Sequence, residues 1–285
     1  MSKFFLKFLF FLSIFFILVL IYLSYFGIET GKFDELIKSK ANKVNQNIKL
    51  EFNKTKIHLN LKELNLFVKL LNSKILIKND KINLSKLNIF LSLKSFFNSD
   101  FLLERAEIAF IENNIKDITK VTSIFLPKFI NKQLNKVFEK GILEGEFIIP
   151  FNSDGSVAKN YEFNGTINKA TINLYKNFSI KNLTTKINYD KGIEKKYLTA
   201  VIKKGSLLDL SLSDTTIIIK NKNNLKKIEV LLNTSGEINS SKIKKITNLL
   251  NFENKYFKEI NGNINLRTDI NFDITKKFKI KNLSY

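Results

Sequence analysis

The stretch KIHLNLKELNLFVKL, Lys56 to Leu70, decides the fold class. Ile57, Leu59 and Leu61, then Leu64, Leu66, Val68 and Leu70, recur at every second position, with Lys56, His58 and Asn60 alternating with the first three. Successive side chains of a strand point to opposite faces, so this period of two predicts antiparallel strands with one apolar and one wet face. The rhythm continues through Ile75 and Ile77, and through Leu87, Ile89, Leu91 and Leu93 of KLNIFLSLKS. His58 falls on the polar side of its strand and reads as a solvated side chain.

Towards the N-terminus the period changes. Phe8 to Ile28, FLFFLSIFFILVLIYLSYFGI, carries no charge. As a helix rising ~1.5 Å per residue it spans ~30 Å, the thickness of a bilayer's hydrocarbon. No small-residue cleavage pattern follows it, so it reads as a retained anchor, with Phe8, Phe11, Phe15, Leu18, Ile21 and Ile28 facing lipid. Lys3 and Lys7 precede it, but Lys32, Lys38, Lys40 and Lys43 follow closely. The charge count is thus nearly balanced, and a short tail before a long domain decides for a cytoplasmic N-terminus. Residues 1–28 form the tip and anchor. Residues 29–46 read as a short amphipathic helix, with Phe33, Leu36, Ile37, Ala41 and Val44 at spacings of three and four.

The β region 47–116 gives way to a helical insertion at 117–141. There PKFINKQLNKVFEKG places Phe129, Ile130, Leu134, Val137 and Phe138 on one stripe, between Pro127 at the start and Gly141 at the stop. Strands resume over 142–285, with a short helix at Ser241 to Asn251. This half holds a repeat. YEFNGTIN at Tyr161 corresponds to KEINGNIN at Lys258, and FSIKNL at Phe178 to FKIKNL at Phe278, in the same order. The second copy stops before its last strand is complete. We therefore expect an N-terminal part of a longer protein, or an edge completed by another chain.

Composition narrows the chemistry. Lys and Arg number 47 against 26 acids, for a formal net charge of +21. The lysines are scattered along the chain rather than gathered on a patch, which argues against nucleic acid. The absence of cysteine excludes disulfides, thiolate metal sites and cysteine nucleophiles, and with a single histidine a transition-metal site is not expected. No phosphate-binding glycine loop opens a helix. We expect no enzyme, no metal and no cofactor.

What remains is the apolar face. A dozen or more strands need to turn Leu, Ile and Phe toward something. Both a closed sandwich with a dry core and an open groove lined for acyl chains satisfy the same alternation. The candidate lining residues are Ile57, Leu59, Leu61, Leu64, Leu66, Val68, Ile75, Ile77, Leu87, Ile89 and Leu91.

The order of a single span, a short amphipathic helix, the strands KIHLNLKELNLFVKL and ILIKNDKINLSKLNIFLSLKS, the segment Ser95-Phe96-Phe97 and the strand around Glu107-Ile108 to Ile111 resembles the AsmA-like superfamily. GSLLDLSLSDTTIII and NLTTKINYDKG are similar to repeats in its large members. The resemblance implies a mainly β protein: a transmembrane helix followed by a long curled antiparallel sheet, an open groove. It also implies an inner-membrane anchor with the bulk in the periplasm of Gram-negative bacteria. Membrane phospholipids would be its partners, in lipid transport or outer-membrane biogenesis, with outer-membrane or periplasmic proteins meeting the open C-terminal edge. The alternatives are an anchored scaffolding domain, or one of the lipopolysaccharide-export kind, whose filled core leaves partner binding to strand addition.

Overall fold

The computed structural model describes residues 3–44, 46, 48–63, 65–77, 80–91, 103–122, 134–154, 156–158, 160–175, 178–191, 196–222, 225–249, 259–275 and 279–285. The protein is mainly β, with one long antiparallel sheet, an apolar N-terminal helix and few other helices. It divides into two compact units. The first is Met1–Ile111 with Glu146–Tyr161, and the second is Glu112–Gly145 with Glu162–Tyr285.

In the first unit, helix α1 (Lys3–Tyr25) is long and apolar enough to cross a membrane. It ends because Phe26 and Gly27 both donate their N–H to the Tyr22 carbonyl, at 2.9 and 3.2 Å, with Gly27 left-handed at φ 67°. A Cβ at Gly27 would lie 2.7 Å from the Ile57 carbonyl oxygen, so only glycine lets the helix end approach the sheet. The chain turns at once into strand β1 (Ile28–Glu29), where Ile28 sits opposite Ile57. Ile28 is therefore a sheet residue and not the last turn of the anchor, because the helix has closed on Tyr22 before reaching it.

Helix α2 (Asp34–Val44) opens with Asp34 and Glu35, acids that favour its N-terminal dipole. Asp34 also accepts a hydrogen bond from the Thr55 hydroxyl, pinning the helix start to the sheet. Strands β2 (Ile48–Glu51), β3 (Lys54–Asn60), β4 (Asn65–Leu71), β5 (Lys74–Ile77), β6 (Asp80–Leu91) and β7 (Leu103–Asn114) follow, with short β1 and β2 unforeseen. The main path runs β1-β3-β4-β6-β7, and β5 joins β2 to β6. The core holds Val68, Leu70, Ile82, Leu84, Leu87, Phe90 and Leu91.

In the second unit, helix α3 (Ile115–Thr122) buries Ile115 and Ile118. The predicted insertion overlaps it. Residues 134–137 are also helical, but Phe138 already begins strand β8 (Phe138–Pro150), and Pro127, Phe129 and Ile130 lie outside the described residues. Then come β9 (Glu162–Tyr175), β10 (Phe178–Lys191), β11 (Lys196–Leu207), β12 (Leu210–Leu212), β13 (Thr215–Lys222), β14 (Leu225–Asn239), helix α4 (Ser240–Leu249), β15 (Asn261–Thr275) and β16 (Ile280–Ser284). The order is β9-β10-β11-β12-β14-β15-β16, with β13 bridging β11 and β14 beside β12. Asn239 caps α4, its side-chain oxygen accepting the Lys242 N–H at 3.0 Å. The β14–β15 ladder is unbroken from Leu225 opposite Thr275 to Asn239 opposite Asn261.

Candidate functional site

Cross-strand register fixes which side chains share a face. In the first unit, Ile57, Val68, Ile89 and Ala106 lie side by side across β3, β4, β6 and β7, as do Leu59, Leu66, Leu91 and Leu103. Seven of the predicted lining residues therefore gather on one face: Ile57, Leu59, Leu66, Val68, Leu87, Ile89 and Leu91. They are not equally accessible. Val68, Leu87 and Leu91 are buried, and Ile57, Leu59, Leu66, Ile75 and Ile89 are half-buried. Ile75 faces Leu50 and Ile82 in the β2–β5–β6 ladder. Ile77 lies in β5, and its side chain, like Leu64 as a whole, is outside the description. Leu61 is 43 % exposed and stands beyond the end of β3. The Asn60 side-chain oxygen accepts the Lys62 and Glu63 N–H groups there, bending the chain into a turn.

The opposite face is not simply wet. His58, Phe67, Phe90 and Arg105 are register partners on four adjacent strands. The His58 ring stacks on Phe67 at 5.2 Å between centroids, Phe67 stacks on Phe90 at 5.1 Å, and the Arg105 guanidinium lies 3.8 Å over Phe90. Arg105 reaches Glu63 at 2.7 Å and Glu107 at 3.1 Å. Glu107 in turn holds Lys86, which also pairs with Glu146. The bond from Arg105 keeps the Glu63 carboxyl below the usual carboxylate range. His58 is 7 % exposed, not solvated, because the end of α1 covers it and its Nδ1 meets the Ser24 carbonyl at 3.4 Å. That burial pushes its pKa down, with a smaller contribution from Lys69 and Lys56.

In the second unit one face is apolar and the other mostly polar. Phe163, Tyr189, Leu198, Ile219, Ile228 and Phe272 form one row across β9, β10, β11, β13, β14 and β15. Gly165, Ile187, Ala200, Ile217, Val230 and Ile270 form the next row on the same face. Every residue of both rows is half-buried. On the other face run Glu162, Asp190, Lys220, Lys227 and Asp273, and beside them Asn164, Asn188, Thr199, Ile218, Glu229 and Asn271. There Lys220 and Lys227 grip Glu229 at 2.6 and 3.0 Å and lower its pKa. The two apolar rows were not among the sequence candidates. Their sequence signal is the alternation of Ile187 with Tyr189, Leu198 with Ala200, Ile228 with Val230 and Ile270 with Phe272; in TTIIIKNK, Ile217, Ile218 and Ile219 are consecutive and leave the face undetermined until register is known.

Two open clefts accompany these faces. One, of ≈ 480 Å³ in the first unit, is bordered by Lys38, Lys49, Lys74, Glu51 and Phe52 among others. The other, of ≈ 520 Å³ in the second unit, is lined chiefly by the polar rows, including Asn164, Thr166, Lys186, Asn188 and Thr199. Among the described residues no group of three or more His, Cys, Asp or Glu side chains could hold a metal ion. Comparison with family models, curated proteins and solved structures finds no match to the chain.

Proposed function

We propose that this is a membrane-anchored protein whose apolar sheet face carries lipid acyl chains, with head groups in water and no covalent step. The observation that carries the reading is the pair of unbroken apolar rows across six strands of the second unit, all half-buried and backed by polar rows. At ~4.8 Å between strands the rows cross ~24 Å of sheet, comparable with an extended long acyl chain. Each methylene removed from water contributes ~0.8 kcal/mol. The apolar helix α1 supports attachment to the membrane that supplies the lipid. A place in the envelope of Gram-negative bacteria, with the bulk in the periplasm, rests on the resemblance to the AsmA-like superfamily alone.

The test is photo-crosslinking in the membrane-bound chain, with the reactive residue at Ile187 or Ile217 and controls at Asn188 and Lys220. Half-buried Leu59 and Ile89 serve as probes of the first unit. Phospholipid captured at the apolar positions and not at the controls is the expected result. Capture of protein alone, or none, overturns the reading. A scaffold with a filled interior is the competing reading, and buried Val68, Leu87 and Leu91 favour it for the first unit. It predicts no lipid at any of the probes.

A further inference from the structure

Few ties fasten the end of α1 to the sheet among the described residues, and the central one is His58. Gly27 lies against its ring: a Cβ built there would sit 2.7 Å from Nε2 and 2.8 Å from Cδ2. The Ser24 carbonyl, in the last turn of α1, can only accept a hydrogen bond. His58 Nδ1, 3.4 Å away, therefore carries the proton of the neutral ring, and Nε2 carries none. His58 is 7 % exposed, and among the described residues no group hydrogen-bonds Nε2. Beyond the ring, the attachment is the two-residue ladder of β1, with Ile28 opposite Ile57 and Glu29 opposite Lys56. An exposed ion pair, Lys54 to Glu29 at 2.9 Å, adds little.

A second proton changes the balance at this joint. An Nε2–H would be a buried donor with nothing to accept it, on a ring that now holds a charge away from water. The charged groups around the ring do not offset it. Lys56 on β3 and Lys69 on β4 are cations, and Glu29 on β1 is engaged by Lys54. Ser24 and Gly27 carry no charge, the ring stacks on Phe67, and Arg105 at the far end of that stack is a further cation. We propose that His58 is a proton-operated catch on the membrane anchor. Neutral, it holds the end of α1 on β3; protonated at Nε2, it lets α1 and β1 swing away. Burial already disfavours the charged ring, so the catch is shut at neutral pH and opens on acidification. The Thr30 N–H on the Thr55 carbonyl at 3.0 Å, and Asp34 on the Thr55 hydroxyl, keep α2 seated meanwhile. The catch is independent of what the apolar face carries.

With no cysteine and one histidine, the chain suits both spin labelling and a single-site titration. Labels on Tyr25→Cys and Lys62→Cys, both exposed, measure the distance from the end of the anchor to the turn after β3. Lys62→Cys with Lys81→Cys is the control within the sheet. Dipolar spectroscopy is run on the full chain in nanodiscs of net-neutral phospholipid at about pH 8 and about pH 5, on either side of the histidine range. One narrow distance is expected at the higher pH, lost for most of the population at the lower, with the control pair unmoved. His58→Phe keeps a ring on Phe67 but takes no proton, and should hold the narrow distance at both. In the chain that retains His58, NMR of the labelled imidazole follows the same proton. Its midpoint should coincide with that of release, which keeps the test valid if the phenylalanine variant misfolds. An unchanged distance at the lower pH, release in folded His58→Phe, or equal movement of the control pair overturns the inference. So do midpoints that differ by about one pH unit or more.

Discussion

Leu183 and Leu283 occupy the same position of the same motif in opposite environments, so one substitution made twice tests the description of the second unit. Leu183 is 2 % exposed under β11; Leu283 is 58 % exposed. A buried leucine cut to alanine loses its transfer free energy and leaves a cavity, together ~2–5 kcal/mol. The same cut at a mostly exposed edge position changes stability by ~0.5 kcal/mol or less. Leu183→Ala should therefore raise the opening constant of β10 amides by at least ~30-fold, and Leu283→Ala should leave β15 nearly unchanged. Hydrogen exchange on the full chain in micelles reads both. Gly205→Ala supplies the internal check. Its new methyl crowds Ile180 and Leu183 in the wild type but fills vacated space beside Ala at 183, so the two changes should couple by ~0.5 kcal/mol or more. Equal costs at the two leucines would refute the reasoning, and so would additive behaviour of Gly205→Ala with Leu183→Ala.

Three further outcomes follow from the first unit. Arg105→Lys keeps the charge but loses the planar stack on Phe90 and the fork to Glu63 and Glu107, and should lower its stability by ~0.5–2 kcal/mol in thermal melts. His58 is held neutral chiefly by burial, with Lys56 and Lys69 adding to the effect, so its native pKa lies below the unfolded value of ~6.5. Its contribution is thus complete above that value and is lost as pH falls through the native one. The unfolding midpoint should drop on acidification, and less in His58→Phe, which keeps the ring on Phe67; an unchanged slope would remove His58 from the account. Ile14→Arg at the middle of α1 should cost ~2.5–3.5 kcal/mol of membrane insertion, read as the extractable fraction in alkaline carbonate.

Much of the architecture was legible from spacing alone. The alternation from Lys56 to Leu70 gives β3 and β4 on the correct faces, because a half-buried strand admits one parity only. The ends of α1 and α4 were less legible: the apolar run carries past Gly27 to Ile28, and the Asn239 cap lies before the expected helix start at Ser241. The candidate site was less legible. Leu61 continues the alternation in sequence, yet Asn60 bends the chain first. His58 lies on the polar side of its strand, and nothing nearby in sequence says that Phe67, Phe90 and Arg105 from three other strands stack beside it, or that the end of α1 closes over it. The apolar rows of the second unit depend on six strands agreeing in register, a property of pairs that no single strand carries.

The unbroken β14–β15 ladder has a genetic consequence. Removing one codon inside β14 moves every following side chain to the opposite face of the sheet, placing Ile228 and Val230 among lysines and Glu229 among isoleucines. Removing two restores the pattern at the cost of a shorter hairpin. Tolerated insertions and deletions within strands of this gene should therefore fall in multiples of six nucleotides, while the turns between them accept any whole codon. A deletion scan scored for folded product would show that even-numbered rhythm directly, strand by strand.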